Sequence, residues 1–144
     1  MKKINQQATK IFCQLLKKIH DKEYIKLTSE GFMPLSIECI EQHITTPFGV
    51  AKLYSVSHNY EQAGDLMRDP EMVFIVCDTR KDEKDYENIA IYPQMYQQDN
   101  LGLYEESVHI KNGQLTTFIK TWQHGHCGFA NIWLKNIQQQ GFLK

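Results

Sequence analysis

The chain has 144 residues, of which 42% are hydrophobic, so one domain with a buried core is expected and disorder along the whole chain is not. Its 16 basic and 17 acidic side chains leave a formal net charge of −1, which argues against nucleic-acid binding by a broadly basic surface. No apolar run approaches the roughly 18 residues of a membrane helix, no signal peptide is apparent, and the four cysteines form no CxxC pair, so we expect a cytoplasmic protein with reduced thiols.

Apolar residues recur at spacings of three and four near the N-terminus, which predicts an amphipathic helix over about residues 3–20. Its other face carries lysine and glutamine, so the helix should lie against a larger element, and a sheet is the expected one. Binding of this basic helix to a membrane surface is the less favoured interpretation. The apolar positions are Ile4, Ala8, Ile11, Phe12, Leu15, Leu16 and Ile19.

After Gly31 the apolar period changes from about 3.6 to 2, which is typical of β-strands. Short runs rich in Val, Ile and Tyr, separated by Pro, Gly or charged clusters, begin at Leu35, Val50, Glu71 and Asn88. The densely charged interval from Asp78 to Asn88 is predicted to be a solvated hairpin loop.

A β-hairpin is predicted around Asn112-Gly113, because this dipeptide suits the two positive-φ positions of a type I′ turn. That turn would place Ile110 opposite Leu115 and Val108 opposite Thr117. The apolar residues of 115–122 also have helical spacing, so this segment could form either a strand or a helix, and we prefer the strand.

From Gly128 the pattern is helical again, over about residues 128–140. Gly141 should end this helix in the left-handed conformation, with Phe142 folding back onto the helix end. The predicted apolar stripe consists of Phe129, Ile132, Trp133 and Ile137.

The chain is therefore predicted to be a single α+β domain over residues 1–144. An antiparallel meander of about six strands, over about residues 34–121, would pack against the N-terminal and C-terminal helices, which cover one face of the sheet.

The segment from His58 to Glu71, HNYEQAGDLMRDPE, places four carboxylates and one guanidinium between two predicted strands. Carboxylates can hold a hard cation such as Mg²⁺, hydrogen-bond a turn, or face a partner. We expect a structural turn with a partner-facing surface and no metal or cofactor. The candidate surface comprises His58, Glu61, Asp65, Arg68, Asp69, Glu71, Asp99, Asn100 and Glu105.

A divalent-metal site is the alternative for this segment. Asp69 and Glu71 would point to one face if both lay in a strand, and Asp99 or Glu105 could join them across the sheet. If a metal binds, the expected ligands are Asp65, Asp69, Glu71 and Asp99. No lysine follows Glu71 at the spacing that a metal-dependent nuclease would use, which disfavours this interpretation.

His124, His126 and Cys127 are zinc-ligand types, but they lack a second pair at a recognisable spacing. Cys127 as a nucleophile beside a histidine lacks an identifiable orienting carboxylate. Gly125 and Gly128 suggest a flexible turn before the last helix.

Five aromatic residues could form a platform for stacking bases, but no basic residues alternate with them. Nucleic acid is therefore a less favoured partner than protein, and the aromatic residues are expected in the core. They are Tyr92, Tyr96, Tyr104, Trp122 and Trp133.

Three segments resemble a bacterial domain of unknown function found in phage, plasmid and conjugative-element proteins. They are HNYEQAGDLMRDPEM from His58, YQQDNLGLYEE from Tyr96 and WLKNIQQQGF from Trp133, and the resemblance covers Ser57 to Phe142. The resemblance implies a mobile-element context and no particular reaction. We therefore expect an accessory protein of a mobile genetic element, a monomer or homodimer, that acts by binding a macromolecular partner without chemistry of its own. A divalent-metal-dependent hydrolase or nuclease that uses the acidic segment is the alternative.

Overall fold

The computed structural model describes all 144 residues, which form a helix, eight strands and a second helix. The helices are α1 (Gln6–Ile19) and α2 (Lys120–Gln139). The strands are β1 (Tyr24–Leu27), β2 (Leu35–Thr46), β3 (Gly49–Gln62), β4 (Asp65–Asp78), β5 (Ile89–Gln98), β6 (Leu103–Glu106), β7 (Val108–Lys111) and β8 (Gln114–Phe118). Short 3-10 turns, Tyr86–Asn88 and Asp99–Leu101, precede β5 and β6.

The strands form one mostly antiparallel sheet, which confirms the α+β class. Strands β2 to β6 are an antiparallel meander, and β1 pairs with the start of β2. The β7–β8 hairpin does not continue this meander, because β8 pairs in parallel with the far end of β2, at Thr45 and Gln114. The prediction of about six strands in a simple meander was therefore wrong in number and in the position of the last hairpin. Strands β1 and β6 were missed because each has only four residues and neither borders a hairpin dipeptide such as the Asn112-Gly113 that marks β7.

Helix α1 packs on the sheet as its periodicity predicts. Six of the seven predicted apolar positions are buried, although Ile4 lies just before the helix, and Leu16 is half-buried. Phe12 lies edge-on to Phe74 of β4, with ring centroids 4.9 Å apart. The Asn5 side chain accepts a hydrogen bond from the Ala8 amide and so begins the helix as an N-cap. This amphipathic face therefore belongs to the core.

Helix α2 begins eight residues earlier than predicted, at Lys120, and the segment 115–122 is divided between the end of β8 and the helix. Gly125 and Gly128 lie inside α2, so the predicted flexible turn does not exist. Glycine inside a helix costs about 1 kcal/mol relative to alanine, and burial of the helix face can offset this cost.

The buried face of α2 is also rotated from the predicted stripe. Trp133 and Ile137 are buried as expected, whereas Phe129 and Ile132 are 37% and 64% exposed. The inward positions are Gln123, His126, Cys127, Ala130, Trp133, Leu134 and Ile137.

The end of α2 confirms the predicted C-cap. Gly141 has a φ of 88°, its amide donates to Gln138, and the Phe142 amide donates to Ile137, which is the Schellman arrangement. Phe142 is buried against the helix end, with 2% exposure.

Both faces of the sheet are covered, not one. The helices cover the larger core, and the β7–β8 hairpin helps to cover a second cluster that includes Ile44, Leu53, Ile75 and Val108. Strand β3 is accordingly buried at six consecutive positions, 53–58, instead of alternating. The predicted type I′ turn is confirmed, since Asn112 and Gly113 have φ values of 53° and 74°.

The register of that hairpin is partly as predicted. Ile110 lies opposite Leu115, but a bulge follows, so Val108 pairs with Phe118 and not with Thr117. All four cysteines are unpaired. Neither helix has both the length and the apolar character needed to cross a membrane.

Candidate functional site

The acidic segment is the outer part of the β3–β4 hairpin and not a loop between strands. Its first residues, 58–62, extend β3, and residues 65–71 already belong to β4. Ala63 and Gly64, with φ values of 53° and 85°, form a tight two-residue turn. The predicted loop is thus a two-stranded ribbon. Its polar side chains can lie in paired strands because residues 61–66 remain exposed to solvent.

A β-bulge separates the two carboxylates expected to share a face. Ser57 pairs with Glu71 and Asn59 pairs with Arg68, so Asp69 and Pro70, joined by a cis peptide bond, oppose the single residue His58. The extra residue reverses the side-chain alternation. Asp69 therefore lies on the α2 side, and Glu71 on the side of the second core. The prediction that Asp69 and Glu71 point to one face is wrong.

Each of the inner carboxylates is held by its own donor. Ser55 Oγ donates to Glu71 Oε2 at 2.5 Å, and Gln98 Nε2 donates to Asp69 Oδ1 at 2.9 Å. Asp99 Oδ2 accepts from the Arg68 amide at 2.8 Å.

The Arg68 guanidinium lies between two of these carboxylates. Its Nε is 3.9 Å from Glu71 Oε1 and 4.0 Å from Asp99 Oδ2. The side chain is 40% exposed, so solvent weakens both ion pairs. Asp99 does join the acidic segment across the sheet, as predicted, and it does so through Arg68.

The remaining candidate residues divide into exposed and buried ones. Glu61, Asp65 and Asn100 are exposed, at the hairpin turn and in the β5–β6 connection. His58 is 7% exposed, and its Nδ1 donates to the Met33 carbonyl at 3.1 Å. Burial lowers the pKa of His58, although its backbone hydrogen bonds act in the opposite direction. His58 thus lies in the core, between the sheet and the end of α2.

No group of three or more His, Cys, Asp or Glu side chains is arranged to hold a metal ion. Of the four carboxylates named for the metal alternative, Asp65 lies at the ribbon turn, Asp69 and Glu71 lie on opposite faces of the ribbon, and Asp99 lies in the β5–β6 connection. The arrangement can present charge to a partner, but it does not converge on one reacting atom.

A different pair of predicted residues comes together on the α2 side. Glu105 of β6 does not join the acidic segment; its Oε1 lies 2.8 Å from His126 Nε2. His126 Nδ1 lies 3.1 Å from Ser107 Oγ, and Tyr96 stacks on the imidazole at 5.7 Å between ring centroids. The carboxylate that sequence reasoning could not find beside this histidine is therefore Glu105.

The hydrogen-bonded side chains of Ser107, His126 and Glu105 do not form a nucleophilic site. Ser107 is fully buried, and its Oγ also lies 3.1 Å from the Gln94 carbonyl, so no substrate can reach it. Cys127 is also fully buried, and its thiol donates to the Lys3 carbonyl. Burial raises the pKa of Cys127, which keeps it a thiol and a poor nucleophile.

An open cavity of about 320 Å³ lies above Glu105 and His126. Its other lining residues are Tyr96, Thr121, Trp122, Gly125 and Phe129. Trp122 and Phe129 are 41% and 37% exposed. This cavity combines aromatic surface with one carboxylate.

The family model described as "Domain of unknown function (DUF6908)" matches residues 6–143. The chain belongs to this family. The match includes α1 and the first strands, so the DUF6908 domain extends well before Ser57, where the resemblance seen in the sequence begins. No curated protein and no solved structure matches the chain.

The five aromatic residues considered for base stacking do not form one platform in this DUF6908 domain. Tyr92 and Trp133 are buried, 8% and 5% exposed, in the two separate cores. Tyr104 is exposed on the edge strand, and Tyr96 and Trp122 line the cavity. The cavity was missed because its residues come from three elements, and Glu105 and His126, which are 21 positions apart in the chain, share no local signal that joins them.

Proposed function

We propose that this protein is a cytoplasmic accessory protein of a mobile genetic element and that it acts by binding a protein partner, without catalysis. The observation that carries the proposal is the hydrogen bonding of the acidic residues. Asp69, Glu71 and Asp99 are each held by a different donor, and the bulge places Asp69 and Glu71 on opposite faces of the ribbon. Such an arrangement suits a rigid recognition surface better than a reaction centre.

Exposed apolar side chains lie at the same end of the sheet, which supports a protein partner. Leu66 follows the hairpin turn and is 57% exposed, and Leu101 in the β5–β6 connection is 62% exposed. Tyr104, 57% exposed, lies on the edge strand β6. We call Glu61, Asp65, Leu66, Arg68, Asp99, Asn100, Leu101 and Tyr104 the acidic end. Leucine and tyrosine among charged groups are typical of protein interfaces, whereas the excess of carboxylates would repel phosphates.

The cellular context in the proposal comes from the sequence. The segments from His58, Tyr96 and Trp133 resemble domains found in phage, plasmid and conjugative-element proteins, and the unpaired cysteines fit a reducing compartment. These observations support a cytoplasmic protein that meets a partner in a bacterial host.

The proposal is tested by cross-linked affinity capture in a bacterial host, with three forms of the protein. They are the wild type, Leu66→Lys at the acidic end and Val50→Lys, a matched exposed position (66%) at the opposite end of the β3–β4 hairpin. We expect the same proteins to be enriched by the wild type and by Val50→Lys, and to be lost with Leu66→Lys. Equal melting temperatures would show that both variants fold.

Two outcomes would overturn the proposal. One is an enriched set that Leu66→Lys leaves unchanged. The other is Mg²⁺- or Mn²⁺-dependent hydrolysis of nucleic acid by the wild type that Asp69→Asn abolishes, which would establish the metal-dependent alternative.

A further inference from the structure

We propose that the cavity between α2 and the β5–β6 pair binds a cationic side chain, a guanidinium or an ammonium group, of the protein partner. This inference rests on the proposed function and specifies the chemistry of one contact. The cavity lies on the α2 side of the sheet, next to the acidic end but formed by different residues. We call Tyr96, Glu105, Trp122, Gly125, His126 and Phe129 the aromatic pocket.

The aromatic rings of the pocket form a corner. Tyr96 and Phe129 have centroids 5.1 Å apart and planes at 76°, so the two rings meet at nearly a right angle, with one face of Tyr96 stacked on His126. Trp122 lines the same cavity and leaves 41% of its surface in solvent. Cations are attracted to the faces of such rings, and tryptophan gives the strongest of these interactions.

Glu105 supplies a negative charge in a fixed position. One carboxylate oxygen, Oε1, lies 2.8 Å from His126 Nε2, and the imidazole is fixed in turn by Ser107 and by Tyr96 stacked on it. The other oxygen, Oε2, has no hydrogen-bond partner within the chain, and the side chain is 31% exposed. A guanidinium or ammonium group beside the rings can therefore donate a charge-assisted hydrogen bond to this oriented carboxylate.

The lining contains no lysine or arginine, and its one basic side chain, His126, bonds Oε1 of Glu105 and leaves Oε2 free for a donor from a partner. A neutral apolar occupant would desolvate Oε2 of Glu105 without giving it a hydrogen-bond donor, and an anion would be repelled by that oxygen. Charge complementarity thus selects a positively charged group.

Gly125 keeps the pocket open. It lies within α2, where glycine is unfavourable, and a Cβ built on it meets no atom within 4 Å. The folded protein therefore has room for a side chain at this position, and that side chain would occupy part of the cavity that Gly125 lines.

The test follows the indole N–H resonance of Trp122 by NMR while small probes are added. The probes are the N-acetyl amides of arginine, lysine and trimethyllysine, and the neutral control is the N-acetyl amide of citrulline, which has nearly the shape of arginine. We expect saturable shifts of the Trp122 resonance with at least one cationic probe and none with citrulline. Glu105→Gln should weaken the binding at least tenfold, and Gly125→Leu should abolish it without lowering the melting temperature.

Three results would overturn the inference: citrulline amide that binds as well as the cations, full affinity in Glu105→Gln, or no shift with any cation up to 100 mM. The test is independent of partner capture, because Leu66→Lys should bind the probes as the wild type does. If no probe binds but Leu66→Lys still abolishes partner capture, only the inference about the aromatic pocket is rejected. If the probes bind but Leu66→Lys captures the same proteins as the wild type, only the proposal about the acidic end is rejected.

Discussion

Replacement of Gly125 by alanine should stabilise this protein. Gly125 lies in the interior of α2, it has no positive φ, and a Cβ added to it meets no atom within 4 Å. Alanine therefore fits the folded helix without strain, and it reduces the conformational freedom of the unfolded chain.

The expected gain is about 0.5–1 kcal/mol in the free energy of unfolding. For a chain of this size, that gain corresponds to a rise of about 1–4 °C in melting temperature. The assay is urea denaturation followed by circular dichroism, with a thermal melt of the same samples. The matched control is Gly141→Ala at the end of α2, where φ is 88° and the added Cβ lies 3.3 Å from Ser29 Oγ. This control should destabilise by about 1 kcal/mol or more.

A loss of stability in Gly125→Ala would refute the reasoning, because it would show that the helix is strained or more tightly packed at this position than the structure indicates. A gain would show that Gly125 lowers the stability of the native chain. The aromatic pocket then provides a physical reason for glycine at this position, since even a methyl group would reduce the space there.

Four further outcomes are expected. Ala63→Gly should raise the free energy of unfolding by about 1 kcal/mol, because Ala63 has a φ of 53° in the turn. Urea denaturation measures this change, and an unchanged or lower urea midpoint would contradict it. Phe142→Ala should cost about 3–5 kcal/mol in the same assay, because the ring is 2% exposed, and a cost below about 1 kcal/mol would show that the C-terminal end is not docked. The lowered pKa of His58 means that the unfolded chain binds a proton more readily, so the stability that His58 contributes above about pH 6.5 should be lost as the pH falls below that value. Urea midpoints between pH 7 and 5 should then fall less in His58→Asn than in the wild type, and equal slopes would argue against this assignment. Finally, Mg²⁺ or Mn²⁺ should leave the melting temperature unchanged, because the carboxylates do not converge on one ion position. An ion that did bind, at about 100 times its dissociation constant, would add about 2.7 kcal/mol to the free energy of unfolding. A rise in melting temperature that Asp69→Ala abolishes would contradict this prediction.

Local patterns predict the parts of the fold that depend on neighbouring residues. The apolar spacing of α1, the Asn112-Gly113 turn and the cap formed by Gly141 and Phe142 all appear where the sequence places them. Each depends on contacts or backbone angles within a few positions, so the responsible residues are close together in the chain.

The candidate sites depend on contacts that no local pattern contains. The start of α2 at Lys120 was missed because Gly125 and Gly128 resemble helix breakers, and burial of the opposite face overrides that tendency. The acidic segment has the composition of a loop, yet pairing between β3 and β4 holds it as a ribbon, and the bulge at Asp69-Pro70 sends two carboxylates to opposite faces.

Composition, periodicity and turn chemistry thus suffice for the α+β class, helix α1, the end of α2 and the Asn112-Gly113 turn, since these follow from the energetics of short segments. Strand order, the second covered face and the meeting of Glu105 with His126 arise from pairing and packing between distant segments. Such contacts form only when the whole sheet has assembled, because burial of apolar surface on both of its faces selects one arrangement among many with similar local preferences.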